Sequence, residues 1–84
     1  MRSEDRASFA RAVWSEFGRL SGEVREPSAR EWYVLSKWMD SSIPLAVILR
    51  AFGEFNGTPR VLGAMEGPVQ RAYSYYANAM GLTR

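Results

Sequence analysis

A proline inside an otherwise helical stretch is the feature that most constrains the fold of this protein. Residues 31–52 read EWYVLSKWMDSSIPLAVILRAF, and Pro44 lies just past the middle of this largely apolar run. Its ring clashes with a preceding helical turn and disfavours helical geometry at Ile43. The Asp-Ser-Ser of residues 40–42 supplies turn and capping oxygens. A new helix therefore begins near Ile43-Pro44, and the stretch is predicted to form an antiparallel pair of helices.

The first helix of this pair has a clear start signal. Ser28 and Glu31 have the spacing of a capping box, in which each side chain binds the other residue's backbone N–H. The second helix of the pair should run from Pro44 to about Asn56, where Asn56-Gly57 suits a left-handed stop. The apolar stripe of the first consists of Trp32, Leu35, Trp38 and Met39, and that of the second of Leu45, Ile48, Leu49, Phe52 and Phe55.

Two more amphipathic helices flank this pair. The first runs from about residue 3 to 20 and ends near Ser21-Gly22, while the last begins at Gly67-Pro68 and ends at Gly81. Their stripes are Phe9, Val13, Phe17 and Leu20, with Trp14 beside them, and Val69, Tyr73, Tyr76 and Met80.

Glycines favour a loop over much of residues 57–67, with a short helical turn through Val61-Leu62. In the first connection, Val24 could fold back on the core. The sequence therefore predicts an all-α fold, a compact single-domain bundle of about four helices over residues 1–84, with the antiparallel pair broken at Ile43-Pro44.

Composition narrows the classes of function. The sequence has neither Cys nor His, so a disulfide framework, a thiolate metal site and the commonest general base are all excluded. Its adjacent Ser36 and Lys37 point apart on a helix, and its glycines match no phosphate-binding pattern. We expect no enzyme activity, no cofactor, no metal and no small-molecule substrate. The absence of a long apolar segment predicts a cytoplasmic protein without a membrane partner.

The helix pair does not look like a DNA-reading helix–turn–helix. In that motif the second helix enters the major groove and offers polar side chains near its start. Here that helix begins Pro-Leu-Ala-Val-Ile-Leu from Pro44, and its one basic residue is Arg50. These side chains belong in a core.

The pattern of this region resembles a known family. Glu31-Trp32, Leu35, Trp38, a short turn, Ile43, and the run from Leu45 to Phe52 are similar to the C-terminal domain of the DnaD-type primosome proteins. That family carries a late-helix motif of Tyr, three residues, then Ile-Leu, and the nearest match is Tyr75-Tyr-Ala-Asn-Ala79-Met80. The resemblance covers residues 28–82 and leaves the first helix and the family's winged-helix domain without counterparts. It implies a small helical domain that binds DNA and assists helicase loading in DNA replication.

Aromatic and basic side chains give two functional hypotheses. The first is a nucleic-acid-associated accessory domain for single-stranded or duplex DNA, in which arginines contact phosphates and an exposed tyrosine stacks on the bases of single strands. Its predicted residues are Arg50, Arg60, Arg71, Tyr75 and Arg84. The second is a protein-interaction adaptor or small structural subunit that associates with itself or a partner without touching nucleic acid. Its predicted interface residues are Trp14, Tyr33 and Tyr75.

Overall fold

The structure is a computed structural model that describes residues 3–81. Helices account for most of these residues. Their order along these residues is α1 (Ser3–Ser21), α2 (Ala29–Asp40), α3 (Leu45–Glu54), a 3₁₀ turn (Leu62–Met65) and α4 (Glu66–Ala79). None of the described residues forms a strand. The predicted all-α bundle of four helices is confirmed.

The break between α2 and α3 lies where the proline predicts it. Pro44 is the N-cap of α3, with φ −60° and ψ 140°, so the extended backbone that its ring favours separates the two helices. Ser42 adopts a left-handed conformation with φ 57°. The turn places Ile43, which is almost completely buried, against the core.

The capping box at the start of α2 is also confirmed. Ser28 Oγ accepts a hydrogen bond from the Glu31 N–H at 3.3 Å, and Glu31 Oε1 accepts one from the Ser28 N–H at 3.0 Å. These bonds satisfy backbone donors that the first helical turn leaves without an intrahelical partner.

Two helix boundaries differ from the predictions. α3 ends at Glu54, because Phe55 adopts an extended conformation (φ −75°, ψ 130°) and packs its half-buried ring against the core. Asn56-Gly57 is therefore not the helix stop. A 3₁₀ turn replaces part of the predicted loop and leads directly into α4 at Glu66. Its residues Leu62 and Met65 share one face at a spacing of three, and both are fully buried.

α3 is the central helix of the bundle. It packs against α4 on one side and α1 on the other, while α2 contacts α1 and the 3₁₀ turn. Phe52 of α3 is fully buried, and its ring meets the rings of Phe17 and Trp38 edge-on at 6.3 and 6.2 Å. The largest fully buried side chains are Phe17, Phe52, Leu35, Ile48, Leu62, Met65, Val13 and Val69.

Three apolar side chains assigned to the interior lie outside it. Trp32 is 48 % exposed, because the buried face of α2 passes through Glu31, about 100° around the helix from it. Val34 fills the core position instead. Met80 comes after the last residue of α4 and is exposed, and Val24 projects from the first connection fully into solvent.

Glu31, and not Trp32, occupies the buried face of α2. Glu31 is only 2 % exposed, and each of its oxygens accepts two hydrogen bonds. Oε1 is 2.6 Å from Arg25 Nη1 and 3.0 Å from the Ser28 nitrogen. Oε2 is 2.8 Å from Arg25 Nη2 and 3.0 Å from the Leu62 nitrogen. The prediction of Glu31 as a cap is confirmed, and its burial and its pairing with Arg25 add to that role.

Arg25 completes this cluster by contacting three other segments. Its guanidinium lies 5.2 Å from the Trp14 ring centroid, and Nη2 also donates to the backbone carbonyl of Arg60 at 3.2 Å. The Trp14 indole N–H donates to the Arg25 carbonyl at 2.7 Å. The Arg25–Glu31 pair therefore joins α1, the first connection, the start of α2 and the segment before the 3₁₀ turn.

We expect Phe52→Ala to lower the free energy of unfolding by about 3–5 kcal/mol, because it leaves a cavity where three aromatic rings meet. Urea titration monitored by circular dichroism measures the change. Tyr33→Ala serves as a control, since that aromatic side chain is exposed on α2. Equal stability of the two variants would contradict the central position of Phe52.

The Glu31 carboxylate predicts acid sensitivity. The Arg25 guanidinium and the N–H groups of Ser28 and Leu62 lower its pKa from 4.5 to about 2, against the opposing effect of burial. Because the pKa is lower in the folded state, its contribution to stability is complete above about pH 4.5 and is lost as the pH falls toward 2. This difference corresponds to about 3 kcal/mol.

Urea titrations of the parent, Glu31→Gln and Glu26→Gln between pH 6 and pH 2.5 check this prediction. Glu31→Gln should be less stable at neutral pH and should lose less stability on acidification. Glu26→Gln should follow the parent, because Glu26 is exposed. Parallel curves for all three proteins would show that Glu31 does not govern the acid response.

Candidate nucleic-acid interface

Two of the predicted contact residues lie on one exposed side of α4. Arg71 and Tyr75 are four residues apart, so they are neighbours on the helix surface. Tyr75 is 75 % exposed, whereas Val69 and Ala77 of the same helix are buried. The burial of the opposite side of α4 against the bundle directs Arg71 and Tyr75 toward solvent.

Arg50 reaches the same surface from α3, the helix that packs against α4. Its Nε donates to Glu54 Oε1 at 2.9 Å, across one turn of α3. Glu54 raises the pKa of Arg50, and the nearby phenol of Tyr75 raises it further to a smaller extent. We define the Arg–Tyr face as the surface formed by Arg50, Arg71 and Tyr75.

The remaining two predicted phosphate contacts do not join this face. Arg60 is exposed, but its backbone belongs to the Arg25–Glu31 cluster, where its carbonyl accepts from Arg25. Arg84 lies outside the described residues. The structure thus brings together three of the five residues predicted from the sequence.

Ion pairing determines how much positive charge this face offers. Arg50 is paired with Glu54, whereas Arg71 pairs with none of the carboxylates whose side chains the structure describes. Four of the seven other basic side chains that the structure describes have acidic partners, in the pairs Arg6–Asp40, Arg19–Glu16, Arg25–Glu31 and Lys37–Glu66. Arg71 is therefore the basic group on the face that is available to an anion without exchanging a partner.

The residues predicted for a protein interface divide between surface and interior. Tyr33 is 67 % exposed, and the Lys37 ammonium lies 5.9 Å from its ring centroid. Trp14 is half-buried between Phe17, whose ring centroid is 5.2 Å away, and the Arg25 guanidinium. These contacts within the domain give Trp14 a structural role, and its place in an interface stays a prediction. Of the three tryptophans, Trp32 is the most exposed.

Sequence reasoning missed Trp32 and the Arg25–Glu31 pair. The apolar spacing of Trp32, Leu35 and Met39 favoured a buried tryptophan, and only the burial of Glu31 reverses that interpretation. Arg25 precedes Glu31 by six residues across Pro27, where no helical spacing rule applies. Its presence near a capping glutamate is the one signal that the sequence contained.

Other kinds of site find no support among the described residues. No three of the Asp and Glu side chains that the structure describes within residues 3–81 are grouped so that they could hold a metal ion. None of the helices in that range combines the length and apolar character needed to cross a membrane.

No protein-family model, curated protein or solved structure matches this sequence. The resemblance to the DnaD-type domain therefore stays a prediction from the residues. The function of this protein has to be inferred from the geometry of its own structure.

Proposed function

We propose that this protein is a small, non-enzymatic accessory domain that associates with nucleic acid and binds single strands through the Arg–Tyr face. One observation carries the proposal: Tyr75 is largely exposed on the same surface of α4 as Arg71, and Arg50 of the neighbouring helix lies near enough for the phenol to affect its pKa. An exposed aromatic ring on the same surface as guanidinium groups suits base stacking combined with phosphate contact. A role in DNA replication, as the DnaD-like pattern implies, is the corresponding biological proposal.

The architecture favours single strands over the major groove of a duplex. α3 would be the recognition helix of a helix–turn–helix, but its Val47, Ile48, Ala51 and Phe52 are buried. Tyr75 stands on a convex helix surface, where an unpaired base can reach its ring. A duplex offers no free base faces, so it would contact the arginines alone.

Glu54 gives the proposal a testable electrostatic detail. Arg50 must leave or share this carboxylate in order to contact a phosphate, because its Nε already donates to Glu54. Removing the carboxylate should therefore strengthen binding, whereas removing an arginine should weaken it. Opposite effects from two residues one helical turn apart are a sharp signature of this face.

Titration of a labelled single-stranded oligonucleotide at two salt concentrations tests the proposal. Tyr75→Ala should weaken binding by about 1–3 kcal/mol on single strands and have little effect on duplex DNA. Arg71→Gln should reduce the slope of log K against log salt by about 0.7 on single strands, the loss of one phosphate contact. Glu54→Gln should increase affinity at low salt.

Matched controls come from other helices. Tyr33→Ala removes an exposed tyrosine from α2, and Arg11→Gln removes an exposed arginine from α1. Both should bind like the parent. Arg60→Gln and Arg84→Gln report whether the contact extends to the other two predicted arginines. No binding by the parent at low salt, or equal losses for Tyr75→Ala and Tyr33→Ala, would overturn the proposal.

A protein-interaction adaptor is the second candidate, favoured by the exposed aromatic pair on α2. Trp32 and Tyr33 are adjacent and both substantially exposed, and aromatic side chains of this kind are enriched at the centres of interfaces. If the protein self-associates, Trp32→Ala or Tyr33→Ala should shift sedimentation velocity profiles toward monomer at an unchanged Tm. Tyr75→Ala should shift them as well only if the interface includes the Arg–Tyr face. A parent that stays monomeric at all concentrations would contradict self-association.

A further inference from the structure

The loop after α3 contains an Asn-Gly pair that is exposed and whose reactive groups make no hydrogen bonds to the described residues. Asn56 and Gly57 are both exposed. Among the hydrogen bonds of the described residues, none involves the Asn56 side-chain amide or the Gly57 N–H. The amide carbon and the neighbouring backbone nitrogen are therefore both available for reaction with each other.

We propose that Asn56 is a site of spontaneous deamidation. The Gly57 nitrogen attacks the carboxamide carbon of the Asn56 side chain, forming a new bond that closes a five-membered succinimide ring. The bond from that carbon to the amide nitrogen breaks, and the nitrogen leaves as ammonia with the proton that the Gly57 nitrogen gives up. Water then opens the ring at either carbonyl, producing aspartate or isoaspartate without any enzyme, oxidant or cofactor.

The backbone at Gly57 explains why the reactive sequence suits this loop. Its φ of 120° is a conformation that residues with a Cβ rarely adopt. A Cβ there would lie 3.7 Å from Phe55 Cε1, which is ordinary contact, so strain in the backbone and not lack of space favours glycine. Glycine is also the residue whose nitrogen is least shielded from the Asn56 side chain. The loop conformation thus favours the neighbour that makes ring closure easiest.

A second asparagine provides an internal control. Asn78, the other of the two asparagines in the sequence, lies within α4 and is followed by Ala79. The Ala79 Cβ shields the attacking nitrogen, and helical backbone resists the rearrangement that ring closure needs. Reaction should therefore be confined to Asn56.

Deamidation would change both charge and backbone. A new carboxylate lowers the formal net charge by one from +2. The isoaspartate product also adds a backbone carbon to the segment between α3 and Leu62, whose N–H binds Glu31. The reaction depends on the loop alone and does not rest on the proposed nucleic-acid function.

Incubation of the folded protein at mildly alkaline pH, followed by trypsin digestion and mass spectrometry, tests the proposal. Cleavage after arginine separates the two asparagines into peptides 51–60 and 72–84. We expect progressive loss of the native 51–60 peptide and its replacement by two isomeric products that chromatography resolves, while the 72–84 peptide stays intact. Asn56→Gln should abolish the conversion, because its longer side chain needs a less favourable six-membered ring.

A parallel incubation in urea, where the loop is unfolded, distinguishes the effect of the loop geometry on the reaction rate from the effect of the Asn-Gly sequence alone. Conversion of Asn56 in the folded protein at a rate similar to that in urea supports the proposal. Conversion only in urea, or no faster at Asn56 than at Asn78 in the folded protein, overturns it. Gly57→Ala should slow the reaction in urea, where the strain of its φ is absent, which identifies the attacking nitrogen independently of folding.

Discussion

The Arg25–Glu31 pair connects two segments that have no regular structure, the connection between α1 and α2 and the one that leads into the 3₁₀ turn. Its carboxylate accepts four hydrogen bonds, two from one guanidinium and two from backbone N–H groups of Ser28 and Leu62. A buried charge is costly unless every lone pair is satisfied, and here the two oxygens each have two donors. Apolar contact alone would hold these segments near one another without fixing their register. The cost of burying a charge is thus offset by these hydrogen bonds, which also fix the arrangement of two connections.

The parts of the fold that depend on neighbours in sequence could be predicted. Pro44 separates α2 from α3, and the Ser28–Glu31 capping box sets the start of α2, because both act over a few residues. The burial of Glu31 could not be predicted, since one of its partners lies thirty-one residues away at Leu62. The exposure of Trp32 follows from that burial and was missed for the same reason. The sequence indicated a short helical turn only through Val61-Leu62. The 3₁₀ turn extends to Met65 because Leu62 and Met65 are buried in a core that other helices build.

In the candidate site, too, features set by sequence neighbours could be predicted and features set by packing could not. Arg71 and Tyr75 share a face by helical spacing, so their proximity could be predicted from the sequence. Arg50 joins them only because α3 and α4 pack together, and its partner Glu54 limits the charge that it offers. Arg60 was grouped with them on charge alone, yet its backbone is bound to Arg25. Net charge identifies the kind of ligand a protein could attract, but packing decides which charges act together.

The central position of α3 has a consequence for how the domain unfolds. A helix of ten residues is too short to be stable alone in water, so α3 forms because α1 and α4 cover it on two sides. Loss of either neighbour would expose apolar side chains of α3 that water solvates poorly, and the helix would melt with it. Neither α1 nor α4 can therefore detach while α3 persists. Cooperative, two-state unfolding follows from the placement of the most apolar segment between its neighbours.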